Sequence, residues 1–183
     1  MKSKILIGIG GGLGQGKSTI AAMLGESLQN QLPEPWTIQI IPFAKGVKDI
    51  ARAFGWSGKK DKKGRRLLQL IGTECGRQCI SPDIWVKKWL AACREAPPYT
   101  VIIADDIRFA NEAKAIQIEA GMLVLVSHRK RVWKPKFLRH KSEKGLPVDC
   151  YHKRVPNDKS MRELQFEVNN LTTEILEYYG MAK

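Results

Sequence analysis

The 183-residue chain holds 31 Lys and Arg against 18 Asp and Glu, a formal charge of +13, with 43% hydrophobic residues. That length predicts a single domain able to bury a core, and no apolar run nears a membrane span. Four cysteines at spacings that suit no metal site, in a chain without a secretory signal, read as free, buried or inert thiols.

From the N-terminus, Ile5, Leu6 and Ile7 predict a strand that feeds a glycine-rich loop, Gly10 to Gly16. The run from Met1 to Ile9 is too short for a signal peptide and passes straight into that loop. A helix is expected over Lys17–Gln29, then a proline-marked loop, a second strand over Thr37–Pro42 and a helix over Val47–Phe54. The lysine block Lys59 to Gly64 reads as an exposed, solvated loop, and Arg65 to Ile80 as one helix in which Gly72 and Gly76 signal tight packing or a nearby ligand. Ser81-Pro82-Asp83 predicts a helix start with Ser81 as N-cap, and Pro97-Pro98 its stop. Val101 to Ala104 has the unbroken apolar run of a strand buried on both faces. A helix follows, with Asn111 as N-cap and Gly121 as stop, then a strand over Met122–Val126 and a short one over Cys150–Val155. Ser160 and Glu163 form a capping box that opens a last helix reaching Tyr179. Strands alternating with helices predict an α/β doubly wound parallel sheet with ligands at the carboxyl ends of its strands.

Gly11 to Ser18 fits G-x-x-x-x-G-K-[ST], followed by Thr19. Polyphosphate must be wrapped by backbone N–H groups, and Gly12, Gly14 and Gly16 let the chain come that close. Gln15, Lys17, Ser18 and Thr19 complete the expected ATP-binding set, with Lys17 reaching the β and γ phosphates and the Ser18 hydroxyl placed for Mg²⁺. A dinucleotide fold would also use the glycines, but Lys17-Ser18 at the helix start suits a triphosphate. The strand ending in Asp105 and Asp106 supplies the carboxylate side of such a site. Both are candidates, with Asp105 taken as the metal carboxylate and Asp106 as a catalytic or acceptor-side group. No glutamate follows to activate water, as hydrolytic motors require, and Arg108 suits a phosphate acceptor better than a surface ion pair.

Phe43-Ala44, Arg66 to Gln69, Gly72-Thr73-Glu74, Arg77, Pro82-Asp83, Trp85 and Asp106-x-Arg108-Phe109-x-Asn111-Glu112 together resemble the deoxynucleoside monophosphate kinases of bacteriophages, as do His140-x-Ser142-Glu143 and Asn157-Asp158. The resemblance implies a P-loop NTPase fold with a five-stranded parallel sheet, and ATP-dependent, Mg²⁺-dependent phosphorylation of a deoxynucleoside monophosphate. It implies a core of about 1–42, 99–128 and 151–183, a helical monophosphate-binding insertion of about 43–98, and a lid of about 129–150. Arg77 and Arg108 would bind the acceptor phosphate with Phe43 and Trp85 near its base or sugar, Asn157 would join the ATP side, and Arg129 would be a catalytic lid arginine. Seven of the thirteen residues from Arg129 to Lys141 are Lys or Arg and none is acidic, so this block is read as a lid, against a plain solvated loop. The expected partners are nucleotide substrates, without membrane or nucleic acid, in the cytoplasm (the host's if phage-encoded), and a homodimer stays open. Two other readings stand beside this one. One is a P-loop kinase of another small metabolite; the other is a nucleic-acid-associated NTPase, supported by the charge and by Trp133 and Phe137 among the basic residues.

Overall fold

The computed structural model describes residues 3–128 and 145–182. The expected lid residues Arg129, Arg131 and Arg139 lie outside them, as do Trp133, Phe137 and the His140 motif. Five parallel strands form one sheet in the order β2-β3-β1-β4-β5: β1 (Lys4–Gly10), β2 (Thr37–Ile40), β3 (Thr100–Ile107), β4 (Met122–Ser127) and β5 (Lys153–Pro156). The central β1 pairs with β3 from Lys4↔Thr100 to Gly10↔Ile107, so the loop after β1 and the acidic end of β3 emerge side by side. Among the described residues no helix is long and apolar enough to cross a membrane.

Side chains alternate across a strand, and the core divides accordingly. Ile5, Ile7, Ile9, Val101 and Ile103 face α1 (Lys17–Gln31) and α6 (Met161–Tyr178), which pack Ile20, Leu24, Leu28, Val168 and Ile175 against them. Leu6, Ile102, Ala104 and Leu123 face the opposite layer, built from α4 (Ile84–Glu95) and α5 (Ala110–Ile118) through Val86, Trp89, Ala113 and Ile116. Apart from both, Val47 and Ala51 of α2 (Lys45–Ala53) close on Ile71 and Trp85 in a separate small core.

Several local expectations are corrected. The lysine block is not all loop: Asp61 accepts a hydrogen bond from Gly64 N at 2.8 Å and caps α3 (Lys62–Gln69). The chain from Arg65 does not stay α-helical. It widens into a π-helical segment, Leu70–Ile80, which closes with a bond from Ser81 N to Gly76 O, five residues apart. Ser81 does not cap α4, which starts after Asp83; its hydroxyl accepts weakly from Asp83 N at 3.3 Å. Nor does Asn111 cap α5. Phe109 holds the N-cap position, and Glu112, inside the helix, accepts from its N–H. At the other end of α5, Gly121 N bonds Ile116 O as a helix stop should, but the left-handed residue is Ala120, at φ 48°. The second strand ends at Ile40, and the last runs Lys153–Pro156, later than expected. Cys75 and Cys79 are exposed and only Cys93 is buried; all four are free thiols.

Candidate active site

At the carboxyl ends of β1 and β3 lies a cavity of about 570 Å³. Its first wall is the glycine loop. Gly11, Gly14 and Gly16 take positive φ of 134°, 70° and 90°, where a side chain would strain the backbone. A Cβ on Gly16 would also run into Asn157 Nδ2, which donates to Gln15 O at 2.8 Å and braces the loop from the β5–α6 turn. Gln15 folds back so that its Oε1 accepts from Gly12 N at 2.6 Å. Lys17 Nζ lies across the loop, donating to Gly11 O at 2.9 Å and Gly12 O at 2.8 Å. Thr19 follows on α1 and also lines the cavity.

The two aspartates separate as neighbours on a strand must, pointing to opposite sides. Asp105 Oδ2 accepts from Ser18 Oγ at 2.5 Å, which sets a hydroxyl and a carboxylate together beside the loop. These hard oxygen donors fit Mg²⁺. Asp106 uses both oxygens on the chain after β2, accepting from Phe43 N at 2.8 Å and Ala44 N at 3.0 Å. Burial, and then the neighbouring Asp105 charge, holds its carboxyl above the usual range despite those donors. Asp106 thereby sets Phe43 at the cavity wall, stacked on Trp89 with ring centroids 4.3 Å apart. Trp85, 4% exposed, also lines the cavity and donates Nε1–H to Gly72 O at 2.7 Å.

Arg77 and Arg108, expected on the acceptor side, line this same cavity. Arg77 projects from the π-helical segment, its guanidinium 4.0 Å over the Phe109 ring. It donates to Pro82 O at 2.7 Å and to Glu112 Oε1 at 2.5 Å. Gln69, Thr73 and Arg77, spaced four residues apart along this stretch, all line the cavity. Thr73, Gln69, Arg65, Lys48 and Lys60 line the cavity although sequence reasoning gave them no site role. Glu112 is the clearest omission: burial, then the charge of Asp106, pushes its carboxyl up to about 7 against the pull of Arg77 and two backbone N–H groups. Its only signal in the sequence was its place in the Asp106-to-Glu112 motif.

The sheet order, the glycine loop opening α1 and the acidic end of β3 define the P-loop kinase fold. The solved structures agree. A shikimate kinase from Bacteroides thetaiotaomicron superposes with a TM-score of 0.50 at 14% identity, covering 94% of this chain and 98% of that one. A protein described as a kinase from Chloroflexus aurantiacus does so with a TM-score of 0.53 at 14% identity over 100% of both chains. In sequence, the chain is 30% identical over 112 residues to the deoxynucleoside-5'-monophosphate kinase of Escherichia phage T5, so the resemblance to phage enzymes of that kind is borne out. The match covers 58% of this chain and 44% of the phage protein, so the chain spans less than half the length of that relative. No family model matches the chain.

Proposed function

We propose that the protein transfers the γ-phosphoryl group of ATP to a deoxynucleoside monophosphate, giving the diphosphate. One observation carries this reading: a single cavity is lined both by the phosphate loop and by Arg77 and Arg108 with the rings of Phe43, Trp85 and Phe109. Six cationic side chains line it against three acidic ones, a balance suited to two phosphate-bearing ligands meeting inside. The partial likeness to a phage deoxynucleoside monophosphate kinase supports the acceptor class.

Bound Mg²⁺ would supply counter-charge to the phosphates, with Ser18 and Asp105 as its protein oxygens. The residues do the rest by placement. Backbone N–H groups from Gly12 to Thr19 cradle the triphosphate, and Lys17 swings from its loop carbonyls to neutralise charge between the β and γ phosphates. Arg77 and Arg108 hold the acceptor phosphate, while Phe43 and Trp85 flank the base or sugar. Asp106 acts through Phe43 and Ala44, keeping the acceptor wall in register with the phosphate loop. Phosphoryl transfer depends on positioning and charge neutralisation far more than on a strong base, so this set suffices.

The test is a coupled assay with ATP-Mg and each common ribo- and deoxynucleoside monophosphate, with small metabolites and nucleic acid run in parallel. Turnover is expected with at least one deoxynucleoside monophosphate. Turnover confined to a non-nucleotide acceptor, or ATP hydrolysis stimulated by nucleic acid alone, would overturn the reading.

A further inference from the structure

Glu112 has no part in the mechanism above, yet both acceptor arginines are arranged around it. Its Oε2 accepts from Arg108 N at 2.8 Å and Phe109 N at 3.1 Å, and its Oε1 accepts from Arg77 Nη2 at 2.5 Å. A helix cap needs only the first pair. The third bond reaches an element 35 residues upstream and joins side chains only 10% and 4% exposed. Buried ion pairs are poor sources of stability, because desolvation offsets their attraction. One kept at the wall of a ligand cavity is better explained by what it holds in place. We propose that Glu112 is the positioning residue of the acceptor site, one carboxylate that locks the Arg77 guanidinium and the Arg108 backbone into a fixed relation; this deepens the kinase reading and rests on it.

The carboxylate is required because it has two acceptor oxygens and no donor. Glutamine in its place has one oxygen and one NH₂. If that oxygen serves Arg108 N and Phe109 N, the NH₂ faces the Arg77 donors and pushes them off; if it serves Arg77, the start of α5 loses its cap. Arg77 is held from its other sides by Pro82 O, by the Phe109 ring and at 3.4 Å by Asn111 Oδ1, so losing Glu112 leaves its plane supported but without its charged partner.

The experiment is a double-substitution cycle on acceptor kinetics. Glu112→Gln is expected to raise the acceptor KM roughly 10- to 100-fold, the worth of one charge-assisted hydrogen bond. The ATP KM should stay within about twofold, since the phosphate loop is untouched. In an Arg77→Ala background, Glu112→Gln should change the acceptor KM by less than about twofold, because its effect passes through Arg77. Independent, additive effects, or an unchanged acceptor KM in Glu112→Gln, would overturn the proposal. A measurement on the unsubstituted protein covers a variant that does not fold. By ¹⁵N NMR, assigned with Arg77→Lys, a guanidinium so held shows separate, slowly averaging Nη–H resonances, and one fully averaged signal would overturn the proposal. If the protein phosphorylates no deoxynucleoside monophosphate, the kinase reading fails by itself and the NMR result alone decides the role of Glu112.

Discussion

Two glycines four residues apart on the π-helical segment should respond to alanine with opposite signs. A Cβ on Gly76 would lie 2.6 to 2.8 Å from Cζ2, Cε2 and Nε1 of Trp85. That ring cannot retreat. Its other side already meets Gly46, where a Cβ would stand 3.0 Å away, and its Nε1–H is tied to Gly72 O. Overpacking a filled core costs about 1–3 kcal/mol, and replacing glycine by alanine inside a helix returns about 1 kcal/mol. The net loss for Gly76→Ala is up to about 2 kcal/mol, which for a chain of this size lowers Tm by up to about 8 °C. At Gly72 a Cβ would meet only Val47 methyls at 3.5 Å, an ordinary contact. Gly72→Ala should therefore gain about 0.5–1 kcal/mol from propensity and raise Tm by about 1–4 °C. Thermal melts of both variants by circular dichroism decide it. A Gly76→Ala protein that melts at or above the parent temperature would refute the clamp on Trp85.

Lys17→Ala should lower kcat by about 10²–10³ with Tm little changed, and near-parental turnover in the folded variant would remove the triphosphate-site assignment. Arg108→Ala should raise the acceptor KM strongly and leave ATP affinity alone; a fall in ATP affinity instead would mean the two ends of the cavity are reversed. Ala120→Gly should stabilise by about 0.5–1 kcal/mol, because glycine takes the left-handed φ of 48° there without a Cβ penalty, and an unchanged or lower Tm counts against this. The raised carboxyl of Glu112, at about 7 against 4.5, means that the folded protein binds its proton more tightly than the unfolded chain. That contribution to stability is greatest at acid pH and is lost as pH rises from about 4.5 through about 7. Unfolding free energies measured across this window should slope downward more in the parent than in Glu112→Gln, and parallel slopes would refute the assignment.

What the sequence determined was whatever depends on neighbours in the chain. The phosphate loop is local, glycines and then lysine and serine at a helix start, so Gly14 to Ser18 could be read directly, although the positive φ expected of Gly12 falls on Gly11 instead. The buried strands were equally plain, because Val101 to Ala104 and Met122 to Val126 are apolar on both faces, as a covered parallel sheet demands. Strand alternation also dictated that Asp105 and Asp106 point opposite ways, but not which one meets Ser18; that follows from β1 and β3 pairing in register, a contact across some ninety residues. Helix starts were misassigned by about two residues, as at α5, where Phe109 and not Asn111 holds the N-cap position, and at α4, which starts after Asp83 and not Ser81. Gly72 and Gly76 did signal close packing, and Gly76 lies against Trp85 of another helix, but the widening of Leu70–Ile80 into a π helix was not legible in the sequence. The role of Glu112 was not legible either. A glutamate at that place in a helix promises only a cap, and its second oxygen acquires a task only when tertiary packing brings Arg77 to it from 35 residues upstream.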